Sequence, residues 1–137
     1  MDKRLFFLLN MAQRKLFNHV DKICEEQLDA PVTQLAALMF ICKNSGCQQK
    51  DLSRALSLNK SGITTLVRRM EKNGLIERKS SATDGRASKL YPTPGGLKKV
   101  MELGPYLEQL NQGFAEAFTA DEIATVLKFL NFILKRF

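Results

Sequence analysis

Residues 58–96 read LNKSGITTLVRRMEKNGLIERKSSATDGRASKLYPTPGG. The stretch holds a helix start, a helix stop, two short strands and a turn, in that order. Asn59 is a good N-cap, because its side-chain oxygen can accept from the first unpaired amides of a helix. Ile63, Val67 and Met70 then share one face, with Leu66 beside them, so KSGITTLVRRMEKN is a helix. Gly74 after Asn73 suits the left-handed residue that closes a helix. LIERKSS reads as a strand, ATDG as a turn and RASKLY as the return strand. Asp-Gly favours such a turn because Gly supplies positive φ without strain. The flanks of this hairpin are too polar for a core, so it projects as a charged arm with Arg86 at its tip.

Working outward, residues 48–56 fit a short helix with Leu52 and Leu56 on one face, and SLN at 57–59 is a tight turn. Residues 32–43 fit a longer helix stopped by NSG at 44–46. Before it, Leu5, Leu9, Ala12, Leu16, Val20 and Ile23 keep three- and four-residue steps, so residues 2–27 form an amphipathic helix. Asp29-Ala30-Pro31 ends it, since the residue before Pro is pushed out of the helical region. After the hairpin, Thr93 and Pro94 suit the cap and first position of another helix. Gly95 and Gly96 weaken its first turn, and Pro105 is expected to kink or divide it. The last helix is capped by Thr119 or Asp121 and carries Ile123, Val126, Leu127, Leu130, Ile133 and Leu134 as its stripe. Phe6, Leu8 and Phe17 in the first helix, and Phe129, Phe132 and Phe137 in the last, exceed what one packing face needs. Such helices usually bury a second surface.

The chain has 137 residues, 45% hydrophobic and 26% charged, which suits one ordinary globular domain. The opening MDKRLFFLLNMAQRKLF resembles a signal peptide in its basic start, but Asn10 and Gln13 break the apolar run and the helical register continues beyond it. No run is long enough to cross a bilayer, so a cytoplasmic location and no membrane partner are expected. Three cysteines, an odd number without framework spacing, fit a reducing compartment.

The net charge is +7, and its placement is uneven. Residues 50–89 hold ten Lys/Arg against four Asp/Glu, whereas the other 97 residues hold eleven against ten. A concentrated excess of this kind is the footprint of a polyanion-binding surface. In the helix after Asn59, the side opposite the core face carries Ser61, Thr64, Thr65 and Arg68, with Lys60 at the start. Small hydroxyls let a helix seat deeply in a DNA major groove, and Arg forks onto guanine or phosphate. Arg69, Arg78 and Lys79 extend the basic surface. A basic hairpin directly after such a helix is a wing, whose tip reaches the adjacent minor groove, where inserted Arg is favoured. Arg86 is the expected minor-groove residue, with Asp84 pairing it or capping the turn.

Taken together, Ser61 near the helix start, LVRRMEKNGLIER, the Asp84-x-Arg86 pair and Thr93-x-x-Gly96 resemble the MarR family of bacterial transcription regulators. The resemblance is strong over 50–96 and consistent in helix order elsewhere. It implies a mainly α fold with a small sheet (α+β winged helix), whose winged helix-turn-helix core spans 32–92. Residues 1–28 and 94–137 would then be dimerisation helices of a single domain, 1–137. By the same resemblance, Ser61, Thr64, Thr65 and Arg68 face bases or phosphates, and a homodimer represses transcription from a pseudo-palindrome in double-stranded DNA. Pro92 departs from the family's usual aliphatic strand residue, and Pro-Gly-Gly replaces its polar helix start, so the resemblance does not set the end of the second strand.

Family members are often released by a ligand, by cysteine oxidation or by a metal. His19 is the sole histidine, and Cys42 with Cys47 cannot complete a tetrahedral zinc site, so no metal or cofactor is expected. Cys47, in a turn before a helix, is the best redox candidate. A small amphipathic aromatic effector is an expectation from the resemblance alone. The competing reading is a winged-helix module that binds protein and reads no operator. No nucleophile–base pair, phosphate-cradling Gly loop or metal cluster points to an enzyme.

Overall fold

The computed structural model describes residues 1–80 and 88–137. Among these the chain forms α1 (Leu5–Leu28), α2 (Val32–Lys43), α3 (Gln49–Leu56), α4 (Lys60–Lys72), β1 (Ile76–Ser80), β2 (Ser88–Pro92), α5 (Pro94–Ala117) and α6 (Ala120–Arg136). The chain falls into two compact units, Met1–Glu102 and Leu103–Phe137.

In the first unit, local chemistry sets most boundaries. Asp29 ends α1 in the left-handed region at φ 51°, a conformation Asp tolerates better than most residues, and Pro31 bars further helix. Pro31 has no group with which to cap α2, so the carboxylate of Asp21 accepts from the Val32 amide at 2.9 Å instead. Gln48 and Asp51 cap α3 reciprocally. Asn59 caps α4 as expected, accepting from the Gly62 amide at 2.8 Å. Gly74, at φ +73°, closes it, with the Leu75 amide returning to the Met70 carbonyl at 3.0 Å.

The core of this unit is built around α2, which buries Leu35, Leu38 and Ile41 completely, together with Leu52 of α3, Val67 and Met70 of α4 and Leu90 of β2. Strands β1 and β2 pair antiparallel from Ile76↔Pro92 to Ser80↔Ser88. Pro92 thus closes the second strand, where its missing amide costs the ladder least. The loop after α2 adds a third position to the sheet. Gly46 and Cys47 bracket Leu90 with two backbone bonds of 2.8 Å, a pairing that periodicity could not reveal.

Thr93 caps α5 through the Gly96 amide at 3.0 Å. Gly96 is required for packing: a Cβ there would lie 2.1 Å from the Leu75 carbonyl oxygen. The helix is not divided at Pro105, which lies inside α5. One missing amide does not stop a 24-residue helix whose remaining bonds continue on either side.

In the second unit, Thr119 and Glu122 form a capping box at α6, and the bonds from Thr119 hold the exposed Glu122 carboxyl below its usual range. No residue of α6 is buried, and Leu134, in its apolar stripe, is 80% exposed. No helix among the described residues is long and apolar enough to cross a membrane.

Candidate nucleic-acid interface

α4 has two sharply different faces. Ile63, Leu66, Val67 and Met70 are buried, while Lys60, Ser61, Thr65, Arg68, Arg69 and Lys72 are exposed. Ser61, Thr65, Arg68 and Lys72 follow steps of four, three and four, so they form one stripe along the outer side. Its N-terminal end is ordered by Asn59, whose Oδ1 accepts from both the Gly62 amide and the Ser61 hydroxyl, the latter at 2.9 Å. The Ser61 lone pairs stay open to an external donor. Thr64 is different. It is half-buried, and its hydroxyl donates to the Lys60 carbonyl at 2.9 Å, with Gln49 Oε1 of α3 also near at 3.4 Å. Arg68 and Arg69 have no charged partner among the described residues.

The helix before the turn contributes charge that the sequence pattern shows without assigning a role. Lys50 and Arg54 of α3 line a cleft of about 470 Å³ with Lys60 of α4. Three cations therefore border one concavity at the helix-turn-helix. Gln34, buried in α2, accepts from the Asn73 side chain at 3.1 Å and so ties the end of α4 to the central helix.

The wing cations are arranged differently from those of α4. Arg78 of β1 pairs with Glu71 of α4 at 2.8 Å. Lys79 lies 3.6 Å from Glu77 and stands 4.9 Å from the ring centroid of Tyr91. Asp84 and Arg86 lie outside the described residues. The described part of the expected site therefore divides into three: exposed residues of α4 (Lys60, Ser61, Thr65, Arg68, Arg69), a supporting Thr64, and two partnered cations, Arg78 and Lys79. Glu71 does not stand out in the sequence, because its partner lies across a helix end and a strand start, a separation with no fixed spacing rule.

All three thiols are pushed up by burial, Cys24 further by Asp21 and Cys47 further by Asp51. No group of three or more His, Cys, Asp or Glu suited to a metal occurs among the described residues.

The MarR family matches residues 28–87, which takes in α2 through β1. The multiple antibiotic resistance protein MarR of Salmonella typhimurium is 29% identical over 135 residues, 97% of this chain and 88% of that protein. A protein assigned to regulation of the hcr operon of Thauera aromatica is 30% identical over 93 residues, 68% of this chain, and the chain spans just over half, 56%, of that relative's length. Among solved structures, the MepR–DNA complex of S. aureus superposes with a TM-score of 0.88 at 22% identity, covering 99% of this chain and 100% of that one. The family match is centred on the helix-turn-helix that exposes this stripe and the fold agrees along the whole chain, and the chain belongs to the MarR family of winged helix-turn-helix transcriptional regulators, not to an enzyme family.

Proposed function

We propose that the protein binds a pseudo-palindromic operator as a homodimer and represses transcription from it. The observation that carries this reading is the exposed stripe of Ser61, Thr65 and Arg68 on α4, backed by a face that is wholly buried. A helix of 13 residues is roughly 20 Å long and fits lengthwise in a major groove about 12 Å wide. Ser61 and Thr65 keep the near side low enough for close approach, and Arg68 reaches a guanine edge or a phosphate. Thr64 contributes less than the sequence suggests, because its hydroxyl is committed to Lys60. Lys60 and Arg69, with Lys50 and Arg54 from α3, neutralise phosphates on either side, as the first helix of a helix-turn-helix crosses the backbone. Arg86 enters the minor groove and Asp84 holds it. Two copies read half-sites about one helical turn apart. A small amphipathic aromatic effector, expected from the family resemblance, would release the complex.

The test is fluorescence-anisotropy titration of duplexes tiled from the DNA upstream of the gene, at several salt concentrations, against scrambled duplexes. A tight, salt-dependent preference for one pseudo-palindromic tile is expected. Arg86→Ala should weaken binding to all duplexes and reduce the salt slope by about 0.9 for each phosphate that is no longer neutralised. Arg68→Ala or Thr65→Ala should cost about 1–3 kcal/mol and relax preference at particular bases. Equal, weak binding to genomic fragments and scrambled DNA alike would overturn the operator reading and favour the protein-interaction module.

A further inference from the structure

Arg78 stands on the wing strand, where a cation is ordinarily read as a phosphate contact. Its surroundings argue otherwise. Nε donates to Oε1 of Glu71 at 2.9 Å, and Nη2 lies 2.8 Å from the same oxygen as an ion pair. A charge-assisted bond with a second close contact to the same oxygen ties the strand to the helix end and offsets the two charges. Glu71 is the one acid in α4, a helix otherwise carrying Lys60, Arg68, Arg69 and Lys72. An unpaired carboxylate there would repel a polyanion, and Arg78 neutralises it. The strand partner of Arg78 is Leu90, fully buried and bonded on its other edge to Gly46 and Cys47. Tyr91, next along β2, closes over the same loop: a Cβ on Gly46 would lie 3.3 Å from its hydroxyl. The base of the wing is thus held on one side by the loop after α2 and on the other by the end of α4.

We infer that Arg78 is a positioning residue that, through Glu71, sets the angle of the wing strands against α4 and takes no phosphate itself. The inference rests on the operator-binding reading above and sharpens it. Strands β1 and β2 lead into residues 81–87, which carry Arg86, so rotation at their base displaces whatever those residues present. The pair is partly solvent-exposed, so its contribution is to orientation more than to stability.

Glu71→Gln, Arg78→Gln and the double variant would be titrated against the preferred duplex and a scrambled duplex over a range of salt. Each single variant should bind the preferred duplex about fivefold more weakly, with the salt slope unchanged and scrambled binding no weaker, and the double should be no worse than either single. Weakened binding of Arg78→Gln to both duplexes alike, with a flatter salt slope and tighter binding by Glu71→Gln, would overturn the inference and make Arg78 a phosphate contact. Amide hydrogen exchange of the protein without DNA supplies an independent reading. Both single variants should speed exchange in β1 and β2 by about fivefold. Unchanged exchange overturns the inference whatever the DNA titrations give. Failure of the wild type to prefer any duplex would overturn the operator reading, and the exchange result would then decide the role of Arg78.

Discussion

Cys47 shows how a side chain's neighbours decide its chemistry. In the sequence it lies between a turn and a helix start, the kind of place where an accessible thiol reacts. In the fold its carbonyl accepts from the Leu90 amide, its side chain is half-buried, and burial followed by the Asp51 carboxylate pushes its thiol up, against a backbone hydrogen bond that lowers it. The thiolate is the nucleophile, so this environment suppresses reactivity at neutral pH. Iodoacetamide at pH 7 should alkylate Cys47 more slowly than an unstructured cysteine peptide, with the rate rising only above the ordinary thiol range; mass spectrometry of a timed digest checks this. The sign for stability follows. All three thiol values are raised on folding, so their full favourable contribution is present below the ordinary thiol pKa, about 8.5, and is lost as pH rises through the raised values.

At the scale of elements, Gly96 separates what local rules disclose from what they hide. Read along the chain, it weakens the first turn of a helix. In the fold it is the only way α5 can start so close to the Leu75 carbonyl, whose oxygen also accepts from the Thr93 amide at 3.1 Å. Gly96→Ala should therefore destabilise the protein by about 1–3 kcal/mol, measured by urea denaturation, although Ala is the better helix former. Gly104→Ala, where nothing lies within 4 Å, is the control and should be neutral or stabilising. The helix starts at Asn59 and Thr93, the stop at Gly74, and the run from Val32 to Lys43 were all readable, because each depends on residues within one turn of one another. The Cys47–Leu90 bridge, the Glu71–Arg78 pair and the clash that requires Gly96 were not readable. Each joins residues whose proximity exists only after α2, α4 and the strands have packed. The outer stripe of α4 was readable as a pattern, but the commitment of Thr64 to Lys60 depends on hydrogen-bond geometry that spacing does not carry.

At the scale of the whole molecule, exposed apolar surface is the feature that needs explaining. Phe6 is 85% exposed, with Leu5, Phe7 and Leu8 beside it in α1, and Val126, Leu127, Phe132 and Leu134 are exposed in α6. Scattered apolar residues on a surface are ordinary, but clusters of this kind mark interaction sites. The sequence pattern says that such faces must be covered and is silent on what covers them. If a second copy does so, sedimentation velocity should give twice 15.5 kDa at micromolar concentration. Leu134→Glu should shift the protein toward monomer and weaken operator binding, since the two half-sites would no longer be bound as one unit. A monomeric wild type with unchanged operator preference would contradict this.

The Asp21 carboxylate on the Val32 amide also bears on how freely the DNA-reading portion could be moved between proteins. α2 begins with a proline that supplies no cap, and α1 supplies it from eleven residues upstream. Cys24 and Leu28 of α1 are buried as well, and the Leu28 carbonyl receives the Lys99 ammonium from α5. A graft limited to residues 32–92 would leave that amide uncapped, a loss of about 0.5–2 kcal/mol, and would strip apolar cover from the helix behind α4. A chimera-builder or a recombination event would have to transplant the last two turns of α1 along with the winged helix, which makes that joint, rather than the first residue of α2, the natural seam of the molecule.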